Sequence, residues 1–103
     1  GLDPEIVYSV IKSSAGNSRI FEGRVPSVIN RDFSTRSTLG IQFKDTDISV
    51  RTADSVKAPV FLAPVARELF KLAEAKGVNI EDSSAVIKLY EELANVTVQK
   101  VKA

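Results

Sequence analysis

The sequence predicts an all-α fold, and three observations carry that prediction. Apolar residues recur three and four positions apart in several separate stretches, the spacing that lines one face of a helix. Cap and stop residues stand at the ends of those stretches, as in Asp3-Pro4-Glu5, Lys76-Gly77 and Glu81-Asp82-Ser83. Residues 37–57 contain no proline and one glycine, Gly40, so little in them interrupts a long helix. A chain of 103 residues is long enough for one domain with one core. We expect a single helical domain of about five helices over residues 1–95, followed by a polar tail over 96–103.

The first helix starts at Asp3-Pro4-Glu5: Asp3 caps free amides, Pro4 suits the first helical position and Glu5 favours the positive end of the dipole. Ile6, Val7, Val10 and Ile11 continue it, and Ser13-Ser14-Ala15-Gly16-Asn17 ends it. A second helix runs through Ile20, Phe21, Val25, Val28 and Ile29, with Pro26 expected to kink or divide it. After a loop at Asn30-Arg31-Asp32-Phe33-Ser34 comes the long helix of residues 37–57, with Leu39, Ile41, Ile48 and Val56 among its expected buried positions. Ile48, Val50 and Thr52 are β-branched and leave a strand open for part of it. Past a loop at Ala58-Pro59, Val65, Ala66, Leu69, Phe70, Leu72 and Ala73 mark a helix that Pro64 starts and Lys76-Gly77 ends. Glu81-Asp82-Ser83 caps a last helix through Val86, Leu89, Tyr90 and Leu93, and the tail after Asn95 is expected to fray.

Composition narrows the functions. The hydrophobic fraction of 44% and the charged fraction of 26% are those of an ordinary soluble protein. A formal net charge of +1 gives no bulk attraction to nucleic acid or to an anionic membrane, and no apolar run approaches the ~20 residues that span a bilayer. Neither Cys nor His occurs, which removes disulfides, makes a transition-metal site very unfavourable and excludes Ser-His-Asp or Cys-His chemistry within this chain. No catalytic residue and no metal ligand is therefore assigned. The lack of cysteine is compatible with a reducing compartment, and a cytoplasmic location is expected. Methionine is also missing and the chain opens on Gly1, which suggests a fragment or a processed product.

Three groups of residues invite a chemical reading. In "FKDTDISV", Lys44 shares a helix face with Ile41 and Ile48, while Asp45 and Asp47 point elsewhere. A lysine ammonium on a half-apolar face is suited to donating to a phosphate, carboxylate or carboxamide oxygen; spacing alone favours the plainer alternative, a lysine whose stem packs while its head reaches water. The loop from Ser13 to Arg19 leads into a helix and offers amides and hydroxyls to an anion, yet such a stretch is more often a turn with a cap. Arg19, Arg24, Arg31 and Arg36 lie among Glu22 and Asp32, too balanced for a DNA-recognition helix.

The order of segments is itself informative. "AGNSRIFEGRVPSVINRDFS", "FKDTDISVRTAD", "APVFLAPVARELFKLAEAKG" and "EDSSAVIKLYEEL" together resemble the C-terminal helical domain of the β-hydroxyacid dehydrogenases, the family of 3-hydroxyisobutyrate dehydrogenase. The resemblance covers roughly residues 1–94. "RDFSTRSTLGIQFKD" and "DSSAVIKLY" are most similar to the L-threonate dehydrogenase-like branch. The resemblance implies the C-terminal half of a 6-phosphogluconate dehydrogenase-like two-domain enzyme that uses NAD or NADP on a small hydroxy acid. Its partners would be an N-terminal Rossmann domain and further copies of itself. That domain would carry the Gly-rich dinucleotide motif, and the family's catalytic lysine and asparagine would also precede Gly1, so this chain alone is expected to be inactive.

The family's fourth motif reads lysine-aspartate-leucine-glycine, then an alanine and an aspartate. Lys44 and Asp45 match its first two positions. The resemblance implies that Lys44 reaches the nicotinamide end of the cofactor from a half-buried position, with Asp45 orienting the segment. Thr46, Asp47, Ser49 and Arg51 depart from the motif. Asn17 and Ser18 fall where the family lines part of its substrate pocket. The alternative is a non-catalytic interaction or dimerisation module derived from such a domain.

Overall fold

The computed structural model describes residues 1–102 and contains five α-helices: α1 Pro4–Lys12, α2 Arg19–Ile29, α3 Leu39–Ser55, α4 Ala63–Ala75 and α5 Ile87–Ala94. A 3₁₀ helix, Ser83–Val86, precedes α5. No strand forms among the described residues; the only extended pairing is an isolated antiparallel bridge between Thr38 and Asp82. The helical expectation therefore holds, and the strand left open around Ile48 falls inside α3. The helices group into two compact units: Gly1–Phe33 with the chain from Ile87 onward, and Ser34–Val86.

In the first unit α1 opens where Asp3 accepts from the Glu5 amide at 2.9 Å, and α2 opens where Ser18 Oγ accepts from the Phe21 amide at 3.0 Å. Tyr8 and Phe21 stack, centroids 5.6 Å apart, and join the two helices. Pro26 lies inside α2 and does not divide it. Its missing N–H deprives the Glu22 carbonyl of the usual i+4 donor, and the Tyr8 hydroxyl from α1 donates to that carbonyl at 3.3 Å. Val28, Ile29 and Leu89 are the buried apolar residues here.

Residues 96–100 are tied rather than frayed. Val98 N donates to Glu91 Oε1 at 2.7 Å, and Lys100 N donates to the Ile29 carbonyl at 3.0 Å. Glu91, itself buried, also receives Arg31 Nη1. Sequence polarity alone misses this anchoring, because Ile29 and Arg31 belong to the opposite end of the chain.

The second unit is built on the packing of α3 against α4, with Leu39, Val50, Ala73 and Ala85 buried. Thr38 Oγ1 caps α3 by accepting from the Ile41 amide at 3.3 Å. The free amides of Leu39 and Gly40 donate, each at 2.9 Å, to the Glu81 and Asn79 carbonyls of the later loop. α4 ends as expected: Gly77 takes φ +74°, its amide reaches the Glu74 carbonyl, and the Val78 amide reaches the Ala73 carbonyl, both at 2.9 Å. That is the bonding of a left-handed glycine stop.

Asp82 does more than cap. Oδ2 accepts from Ser84 N at 3.1 Å and Ser84 Oγ at 2.7 Å, while Oδ1 accepts from the amides of Arg36 at 3.1 Å and Ser37 at 3.3 Å. The carboxylate is wholly buried. Burial alone would raise its pKa; the bonds from Ser84, Arg36 and Ser37 outweigh that and lower it to about 2.

Candidate functional site

The phase of α3 decides where Lys44 points. Leu39, Phe43, Val50 and Ala53, spaced four, seven and three apart, are buried or half-buried. Ile41, Lys44, Asp45 and Ile48 lie on the other side and are exposed. Two expectations are corrected by this. Ile41, Ile48 and Val56 are not core residues, because the inward stripe of α3 is completed by Gln42 and Thr46 instead. Lys44 is not half-buried either: its side chain is 65% exposed.

Lys44 Nζ lies 3.1 Å from Asp45 Oδ1, an exposed neighbour pair. Such a pair holds its charges together only weakly, by about 0–1 kcal/mol, so the ammonium can turn to a better acceptor at little cost. The Asp45 carbonyl accepts from Ser49 Oγ at 2.8 Å, and the Gln42 carbonyl accepts from Thr46 Oγ1 at 2.7 Å. Both hydroxyls return to the helix carbonyls one turn back, as short polar side chains do mid-helix.

Sequence reading missed the neighbouring triad. Asp47 Oδ2 is 3.0 Å from Arg51 Nε one turn on, and Asp47 Oδ1 is 3.5 Å from Arg67 Nη1 on α4. The Asp47–Arg51 half of it was visible as an acid–base spacing of four; the Arg67 half depends on the pairing of α3 with α4.

Asn17 and Ser18 belong to the first unit, Lys44 and Asp45 to the second. Ser18 Oγ is engaged as the α2 cap. Asn17 Nδ2 donates to Glu22 Oε1 at 2.7 Å, whereas its Oδ1 is buried and accepts no hydrogen bond. A hollow of about 280 Å³ lined by Glu91, Glu92, Asn95, Val96 and Thr97 contains none of the four candidates. Among the described residues no group of three or more Asp and Glu is placed to hold a metal, and no helix is long and apolar enough to cross a membrane.

The outward face of α3 combines a cation with apolar surface. An exposed cation offers a donor to an oxygen, and Ile41 and Ile48 offer apolar surface to a flat ring.

Comparison with known proteins adds to this geometry. Residues 1–90 match the protein family described as NAD-binding of NADP-dependent 3-hydroxyisobutyrate dehydrogenase. The L-threonate dehydrogenase of Cupriavidus necator is 41% identical over 90 residues, 87% of this chain and 30% of the relative. The L-threonate dehydrogenase of Escherichia coli (strain K12) is 36% identical over the same shares of each chain. A crystal structure of 3-hydroxyisobutyrate dehydrogenase from Salmonella typhimurium superposes with a TM-score of 0.83 at 37% identity, over 86% of this chain and 31% of that one. The chain thus spans about 30% of the length of the relatives it matches.

Proposed function

This chain belongs to the NAD-binding family of NADP-dependent 3-hydroxyisobutyrate dehydrogenase, the β-hydroxyacid dehydrogenases, and from that premise we propose that it is the helical domain of a two-domain oxidoreductase. In the assembled enzyme it supplies one wall of the NAD or NADP pocket. An N-terminal Rossmann domain supplies most of the cofactor contacts and the catalytic lysine. The substrate is a small hydroxy acid of the threonate or 3-hydroxyisobutyrate type, the compounds after which the relatives are named, and a cytoplasmic setting suits a chain without cysteine.

One observation carries the reading: Lys44, with Ile41 and Ile48 beside it, faces outward from α3 and pairs only loosely with its neighbour Asp45. Lys44 donates to an oxygen at the nicotinamide end of the cofactor, and Asp45 holds the ammonium in reach of it. The bound cofactor supplies the hydride chemistry, and the protein positions it. The buried, bondless Asn17 Oδ1 supports a polar contact for substrate beside α2, and Ser18 keeps a hydroxyl proton to give.

Replacing Lys44 by Ala in the full-length enzyme tests this. A charge-assisted hydrogen bond is worth about 1.5–3 kcal/mol, so cofactor affinity or turnover should fall roughly 10- to 100-fold while the helical circular dichroism stays the same. Full retention of both would remove Lys44 from the cofactor site. A second reading, a non-catalytic module that associates with further copies, is favoured by the large exposed apolar side chains of the second unit. Self-association is compatible with both.

A further inference from the structure

We propose that Arg51 is a second cofactor-binding residue of this face, its guanidinium taking the pyrophosphate while Lys44 takes the nicotinamide end. Ile41, Lys44, Ile48, Arg51 and Ser55 follow one another at steps of three and four along α3, and each of them is exposed. The stripe therefore carries two cations with an isoleucine between them. Arg51 stands seven residues beyond Lys44, about 10 Å along the helix. In either dinucleotide a nicotinamide ring and a ribose separate the carboxamide from the pyrophosphate. One bound molecule can thus meet both cations and lay its ring and sugar across Ile48.

The way Arg51 is held singles it out. Its Nε lies 3.0 Å from Asp47 Oδ2, an attachment that leaves the N–H donors of both terminal nitrogens unengaged. The other oxygen of the same carboxylate, Asp47 Oδ1, is taken by Arg67 Nη1 from α4 at 3.5 Å, and Arg67 Nη2 lies 3.5 Å from Glu68 Oε1. One acid thus serves two arginines with different parts to play. Arg67, 28% exposed, is spent on Asp47 and Glu68; Arg51, 69% exposed, keeps its free end for the solvent side. A guanidinium oriented in advance by a neighbour loses little conformational freedom when a ligand arrives.

Charge separates the two ends of the stripe. Arg51, Arg67 and Lys71 share two carboxylates, Asp47 and Glu68, so positive charge is left over at the Arg51 end. Lys44 is matched by Asp45 alone, which suits a neutral acceptor such as a carboxamide oxygen. A charged phosphate group belongs where the excess lies. The planar fork of a guanidinium also fits two phosphate oxygens at once, whereas an ammonium meets an acceptor as a point charge. A substrate carboxylate offers a similar pair of oxygens, but a small hydroxy acid is too short to reach Arg51 from the nicotinamide end.

Arg51 has this role only if the two-domain reading above holds, and binding titrations on the full-length protein keep the two apart. Fluorescence titration with NADH and with NADPH reads affinity without turnover. Arg51→Ala should weaken both by the same roughly 10- to 100-fold, since both carry the pyrophosphate. Arg51→Lys should recover part of the loss, and the salt dependence of binding should be shallower in Arg51→Ala than in the wild type. Asp47 keeps Arg67 when the exposed Arg51 side chain is removed, so the fold should survive. A loss confined to NADPH would assign Arg51 to the extra ribose phosphate. A loss seen only as a higher KM for the hydroxy acid would assign it to the substrate carboxylate. Either result overturns the pyrophosphate contact. Unchanged binding in Arg51→Ala beside weakened binding in Lys44→Ala would overturn Arg51 and leave the proposed function standing. A full-length wild-type protein that binds neither dinucleotide would overturn both.

Discussion

Asp82 shows how one side chain can hold a unit together and leave a signature in its pH dependence. Its carboxylate joins the start of α3 to the 3₁₀ turn through four donors. Its pKa lies at about 2 in the folded chain against 3.8 ordinarily. The stability it contributes is therefore complete above about pH 4 and is lost as pH falls toward 2. A shift of that size corresponds to about 2 kcal/mol. Asp82→Asn should lower the denaturant midpoint at pH 7 and flatten the fall in stability between pH 4 and 2; an unchanged acid limb would show that Asp82 is not its source. Lys44 behaves oppositely, exposed and weakly paired, so the role proposed for it depends on a group outside this chain.

Among elements, α2 depends on a neighbour for a bond it cannot make itself. Tyr8 donates to the Glu22 carbonyl that Pro26 leaves without a helical donor. Tyr8→Phe should cost about 0.5–1.5 kcal/mol in urea unfolding, and less in a Pro26→Ala background, where the helical N–H is restored. Equal costs in both backgrounds would rule out this compensation. Helix existence was legible in the sequence because caps and stops are local: Asp3, Lys76-Gly77 and the glycine-free run after Gly40 act within a few residues. The phase of α3 was not legible. Leu39, Phe43 and Val50 form one apolar stripe, Ile41 and Ile48 another, and nothing local says which of two stripes faces α4. Likewise, Pro26 read as a break because Tyr8 lies 14 positions before the carbonyl it bonds.

For the whole molecule, the contrast between its core and its surface matters most. Seven apolar residues are buried among those described, while large apolar side chains such as Leu2, Ile20, Phe61, Leu62, Ile80 and Leu93 stand exposed. The chain spans about 30% of the length of its relatives, and under the proposed two-domain reading the rest of the enzyme would cover part of this surface. The resemblance implies that Lys44 faces a cofactor, yet it does not supply the exposure of Lys44, the Asp47–Arg51–Arg67 triad or the bare start of α4. Each of those depends on how α3 and α4 pack, or on what they face beyond this chain.

The most direct measurement is a crystal structure of the full-length protein with NAD or NADP bound, which tests the proposed two-domain enzyme. Lys44 Nζ should lie within about 3.2 Å of an oxygen at the nicotinamide end, a hydrogen-bonding distance, with Ile41 and Ile48 against the ring. A cofactor seated elsewhere, with Lys44 still turned to water, would contradict the account.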